Sequence, residues 1–209
     1  MNKIVSLVGL SIAAIAATPA AAQTAAPAGG RVEALIGYDR VGYDLEDTFG
    51  IDDSVHMSGV LYGIGVGYDF PVSNGVSLGV DLEATASTAD RKESFVGDVG
   101  GFDVDATGKI SAGRDLYAGV RATFAASPKV NIYVKAGYTN ARLKGSVDGT
   151  IDGESIDSSD AANGDGIRAG LGAQYAISQK SYVGLEYRYS NYESDFDRNQ
   201  IAATFGFRF

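Results

Sequence analysis

From Arg31 onward, apolar and polar residues alternate with period two through eight segments. That period marks a strand whose two faces meet different surroundings. The segments are Arg31–Val41, Met57–Phe70, Val76–Ser87, Lys109–Ala125, Val130–Arg142, Ile167–Ile177, Ser181–Tyr192 and Arg198–Phe209. In the second, Val60, Tyr62, Ile64, Val66, Tyr68 and Phe70 share one side, and Leu61, Gly63, Gly65, Gly67 and Asp69 the other. In the last, Ile201, Ala203, Phe205, Phe207 and Phe209 oppose Ala202, Thr204, Gly206 and Arg208. An exposed apolar strand with an unpaired edge is an aggregation hazard in water. A closed barrel in a membrane has no edge and turns its apolar face to lipid.

The connections alternate in length. Pro71–Gly75, Ala126–Pro128 and Ser178–Lys180 are tight, whereas the regions near 42–56, 88–108, 143–166 and 193–197 are longer and polar. Short turns on one rim and long loops on the other are the pattern of outer-membrane barrels. A soluble sandwich would show a polar outer face, but here one face is apolar in every segment while the other carries charge. The fold expected is all-β: an eight-stranded antiparallel up-and-down transmembrane barrel over residues 31–209. Residues 1–22 read as a secretory signal, with Lys3, an apolar run from Ile4 to Ala17 and small residues up to cleavage after Ala22. Residues 23–30 form an Ala/Pro/Gly tail, expected to be flexible. The predicted location is the outer membrane of a Gram-negative cell.

Composition narrows the function. The chain has no cysteine, so disulfides play no part. Its formal net charge of −9 argues against a nucleic-acid partner. Near-zero mean hydropathy fits lipid-facing and lumen-facing residues that cancel. No phosphate loop, cysteine nucleophile or metal-binding cluster is present in the sequence, and no cofactor is expected.

Charge on the inward rows is the first candidate for chemistry. Counted from the short turns, Asp81, Glu83, Arg121, Lys135, Glu186 and Arg188 fall at similar middle depths. Unpaired charges in a narrow lumen are costly, so three acids and three bases are expected to satisfy one another. Eight-stranded interiors are filled by side chains, which favours a structural plug over an ion gate. Inward glycines leave room for the long side chains. Glu33 and Arg208 should form a wet clasp where the first and last strands meet.

Two further groups stand out. Asp44, Glu46, Asp47, Asp52 and Asp53 in the first long loop, and Asp148, Asp152, Glu154, Asp157, Asp160 and Asp165 in the third, are acidic. They read as solvated loops that could hold divalent cations weakly. His56 and Ser58 face outward by parity, near the outer leaflet. A hydrolase needs an acid behind such a base. Glu83 points inward and Asp52 and Asp53 lie in a loop, so a rim histidine is preferred over a lipid A-modifying hydrolase. Outward aromatics toward the strand ends, such as Tyr38, Tyr68, Phe70 and Tyr138, read as headgroup-level girdles.

Gly113-Arg114-Asp115-Leu116-Tyr117-Ala118-Gly119-Val120-Arg121, Glu186-Tyr187-Arg188-Tyr189-Ser190-Asn191-Tyr192 and Phe207-Arg208-Phe209 carry a family likeness. The chain resembles the small eight-stranded outer-membrane barrels grouped with opacity proteins and the OmpA membrane domain. The resemblance implies that Phe205, Phe207 and Phe209 are the signal read by the outer-membrane assembly machinery. It also implies a non-enzymatic role in envelope structure or surface interaction, with membrane lipid and lipopolysaccharide as surroundings. No appended periplasmic domain of the peptidoglycan-binding kind is expected. A monomer is the default for a closed barrel. A small porin-like channel gated by the inner charges is the alternative, and a hydrolase using His56 and Ser58 the second alternative.

Overall fold

The computed structural model describes residues 26–44, 54–193 and 196–209. Its regular elements are all strands: β1 Gly29–Asp44, β2 Ser54–Ser73, β3 Val76–Ser87, β4 Asp90–Val99, β5 Phe102–Ala125, β6 Val130–Ile151, β7 Glu154–Ala176, β8 Ser181–Tyr192 and β9 Phe196–Arg208. Eight of them close a ring in the order β1, β2, β3, β5, β6, β7, β8, β9, each antiparallel to its neighbours. The seam between β1 and β9 runs in register from Arg31 opposite Arg208 to Tyr43 opposite Phe196. The expected eight-stranded barrel is this ring.

Burial along β3 shows which face is which. Ser77, Asp81, Glu83 and Thr85 are buried, while Leu78, Val80 and Leu82 are exposed. A soluble sheet buries the opposite set. The arrangement holds around the ring, where Ile36, Ile64, Val120, Leu171 and Phe205 stand on the outer surface. It is stable only with lipid outside, since apolar area left in water forfeits the hydrophobic contribution.

The long rim departs from expectation. Two of the regions read as loops, 88–108 and 143–166, are strand. β4 pairs with β5 alone, and β5, β6 and β7 continue past the ends of β3 and β8. A four-stranded sheet thus stands above the barrel on one side. Both its faces are wet, so no buried row enforces the alternation that reveals a strand. The local signal lay in the turns instead. Gly100-Gly101 and Asp152-Gly153 all have positive φ, as two-residue hairpin turns of the primed type require.

Above the barrel the two faces exchange character. The lumen-side row of this sheet carries Phe95, Phe102, Val104, Ile110, Val147, Ile151 and Ile156. The row continuing the lipid side carries Asp98, Asp103, Asp105, Asp148 and Asp157.

Candidate functional site

Period two sends the odd residues of β1 and β3 and the even residues of β8 and β9 into the lumen. There they meet in tiers, described from the short-turn rim upward. Asp69 receives both Arg31 and Arg208, and Arg208 also donates to Gln174 at 3.0 Å. Arg31 reaches Asp81 as well. Arg121 donates to Asp81 at 2.8 Å and lies 3.4 Å from Glu33, which accepts the Tyr182 hydroxyl at 2.7 Å. In the middle tier Lys135 bridges Glu83 and Glu186, the latter at 2.8 Å. Arg188 donates to Glu83 at 2.6 Å, and the Tyr133 hydroxyl to Glu186 at 2.7 Å. In the upper tier Asp115 accepts from Arg168, from Arg198 at 3.0 Å, from Thr139 at 2.6 Å and from Tyr192 at 3.0 Å. Arg198 also holds Asp39, which accepts from Gln200 at 2.9 Å.

Among the described residues, seven carboxylates (Glu33, Asp39, Asp69, Asp81, Glu83, Asp115, Glu186) therefore face seven cations (Arg31, Arg121, Lys135, Arg168, Arg188, Arg198, Arg208). The balance matters because each ion taken from water costs several kcal/mol, offset only by a well-made set of partners. Glycines make the room. A Cβ at Gly172 would enter the Tyr133 ring, and one at Gly206 the Tyr182 ring.

Above the Asp115 tier the lumen turns apolar. Val41, Met57, Ala89, Ala112, Ala141, Tyr192 and Phe196 form one buried cluster, in which the Tyr192 and Phe196 rings stack at 4.3 Å and 8°. A register shift between Ala112 and Asp115 turns both inward. This cluster lies beyond the ionic tiers, toward the long rim.

The structure brings together Asp81, Glu83, Arg121, Lys135, Glu186 and Arg188, all buried. It adds Arg31, Asp39, Asp69, Asp115, Arg168 and Arg198, which share the inward parity but lie above or below the middle depth. Parity alone would have found them. The Glu33–Arg208 clasp is not formed: Arg31, not Glu33, stands opposite Arg208. Glu33 points into the lumen toward Arg121 and Tyr182, and Arg208 binds Asp69.

His56 and Ser58 are exposed on the outer side of β2, opposite Gly42 and Arg40 of β1. On the other flank of Gly42 lies Asp197 of β9. A carbon at the missing Gly42 Cβ would sit 2.6 Å from Asp197 Oδ1 and 3.3 Å from His56 Nδ1. Asp197 is thus an acid near His56 that sequence distance hides. It also accepts from Asn199 at 2.6 Å, and Asn199 accepts the Tyr187 hydroxyl at 2.7 Å.

The acids of the third long region stand on β6, β7 and the turn between them; Glu46, Asp47, Asp52 and Asp53 lie outside the described residues. Among the described residues no group of three or more acids and histidines converges as a metal site. Phe205, Phe207 and Phe209 stand exposed on the outer face of the closing strand, where Phe209 exchanges backbone hydrogen bonds with Gly30.

A family model described as outer membrane protein beta-barrel domain matches residues 9–209. The chain belongs to this outer-membrane β-barrel family. Among solved structures, Neisserial surface protein A (NspA) is similar at a TM-score of 0.52 and 17% identity, over 87% of this chain and 97% of that one. Ail of Yersinia pestis, solved in complex with the heparin analogue sucrose octasulfate, has a TM-score of 0.49 at 18% identity, over 87% and 99%. OprG of Pseudomonas aeruginosa has 0.45 at 13%, over 89% and 98%. Such identities carry the fold alone. No curated protein sequence matches the chain. As a family member this is an outer-membrane protein, with its short turns at the periplasmic rim and its tall sheet outside the cell.

Proposed function

We propose that this barrel is a non-enzymatic surface-interaction protein whose lumen is a structural plug and whose working part is the extracellular sheet. The observation that carries the reading is the exchange of faces above the membrane. Phe95, Phe102, Ile110, Val147 and Ile151 are 38–55% exposed on a sheet whose other face carries Asp98, Asp103, Asp105 and Asp148 toward its tips, with Val96 among them and Lys109 and Lys144 below. Contiguous exposed apolar surface of this kind is the usual mark of an interaction site. Of the acids assigned that role from the sequence, Asp148 and Asp157 stand on the outer face of this sheet, while Glu154 and Asp160 take the lumen-side row. The balanced charges of the lumen and the apolar cluster beyond them support an anchor rather than a pore.

Replacing residues 94–106 and 146–158 by tight turns should abolish adhesion of cells displaying the protein to protein-coated surfaces, with the barrel still assembled. Unchanged adhesion would sink the reading.

A small channel is the second reading. Tyr117 Oη, Arg188 Nη2, Gln200 Oε1 and Thr204 Oγ1 are buried without a hydrogen-bond partner among the described residues, and such atoms are commonly satisfied by water. Planar-bilayer recording separates the two: the plug predicts silence, and a large steady conductance would establish the channel. His56, Ser58 and Asp197 belong in this reading to the polar rim, so lipid A from cells carrying the protein or Ser58→Ala should show the same acylation pattern.

A further inference from the structure

We propose that the outer surface of the barrel, just above its apolar belt, carries a site for the phosphorylated sugar headgroup of an outer-leaflet glycolipid, held by Lys109, Arg142 and Lys144. The site is a cleft of about 540 Å³ lined by these three cations and by Ser111, Ser146 and Ser159. One acid, Asp160, also lines it, and its carboxylate accepts from the Ala161 amide at 2.7 Å.

Height is the first argument. The outer row of β6 reads Ile132, Val134, Ala136, Tyr138 and then Asn140, Arg142, Lys144, Ser146. Asn140, where it changes, is ten residues above Val130 at the periplasmic rim. Ten residues at about 3.3 Å each, tilted by about 40°, climb about 25 Å, which is the height of the apolar band in such barrels. The cations therefore begin where acyl chains end and headgroups start.

Charge is the second. The chain carries −9 overall, and the sheet above is acidic on this same outer face, yet here three cations share one cleft. Lys109 has an exposed partner in Asp90 at 3.5 Å, a wet pair of little strength. Arg142 and Lys144 have no ion-pair partner among the described residues. An arginine beside lysines suits phosphate, through charge-assisted hydrogen bonds.

Surroundings are the third. At the lower edge Arg114 donates to Asn140 at 3.0 Å, and Asn140 to Asp165 at 2.6 Å, with the Tyr138 hydroxyl also on Asp165. Together with the three serines they offer donors and acceptors that match sugar hydroxyls. The cleft opens sideways, directly above the lipid-contact rows, so its ligand is one whose tails lie in the membrane. This assignment rests on the barrel's place in the outer membrane and not on the surface-interaction reading.

The test is a titration of the purified barrel in detergent micelles, followed by native mass spectrometry, with bis-phosphorylated lipid A, dephosphorylated lipid A and phosphatidylglycerol. Wild-type protein should prefer bis-phosphorylated lipid A, and inorganic phosphate at equal concentration should not displace it. Arg142→Ala with Lys144→Ala should weaken that lipid about tenfold or more and leave the dephosphorylated form unchanged. Ser146→Ala with Ser159→Ala should weaken lipid A but not phosphatidylglycerol. Heat-dependent gel migration reports whether each variant is folded; Arg142→Gln and Lys144→Gln, tested singly, keep the long stems should the double variant fail. Equal binding by folded wild type and cation variants, equal binding of the dephosphorylated lipid, or displacement by phosphate would overturn the site.

Discussion

The lower and upper halves of β6 are one continuous strand with opposite manners. Below, Ile132, Val134 and Ala136 face out, while Tyr133 and Lys135 are buried in the lumen. Above, Val147 and Ile151 lie on the lumen side, while Ser146 and Asp148 lie outside. The period is the same in both, so polarity follows the medium each face meets and not the strand. The two regions also treat charge differently. In the lumen the carboxylates are met by cations across the ring. On the sheet Asp98 stands opposite Asp103, and Asp148 opposite Asp157. Like charges opposed across strands are destabilising, but modestly so where water and salt screen them.

The sharpest way to break this comparison is to remove one acid from each region. Asp115→Ala strips Arg168 and Arg198 of a shared partner in a buried site. It should cost about 3–5 kcal/mol, read as a fall in the urea midpoint of the refolded barrel. Asp148→Ala should shift that midpoint hardly at all. Equal effects would mean that the lumen is as wet as the sheet.

The closing strand offers the same contrast between its two faces. Phe209→Ala should lower the yield of assembled barrel severalfold, because the aromatic outer row meets lipid and serves as the proposed assembly signal. Arg208→Ala should leave assembly near wild type while loosening Asp69. Heat-dependent gel migration of membrane fractions reads both, and matching losses would show that the faces are not separable.

The smallest effect concerns the screened acids. Asp148→Lys turns a like-charged pair with Asp157 into an opposite one and should stabilise the hairpin by about 0.2–1 kcal/mol. Amide hydrogen exchange at Asp148–Asp157 should slow at low salt and return toward wild type at high salt. A gain independent of salt would show that something other than charge holds the tip.

How much was legible differs between the parts. The inward set is readable wherever one face meets lipid, as Asp81, Arg121 and Glu186 show. The sheet reads as loop in the sequence because neither of its faces is buried, although Gly100-Gly101 and Asp152-Gly153 mark its tips. Asp39, Asp115 and Arg198 share the inward parity but stand above the middle depth, because the ionic tiers run nearly to the long rim. Acidic residues 46–53 remain outside the described residues.

By itself the sequence determined which side of the wall each residue takes, and with it the barrel, because alternation is a local property of an extended chain. Only the tertiary structure decided who meets whom. Glu33 reaches Arg121 and Tyr182, and Asp197 comes beside His56 across Gly42, through the stagger of eight strands around a closed ring. Stagger belongs to closure as a whole and is written in no single strand.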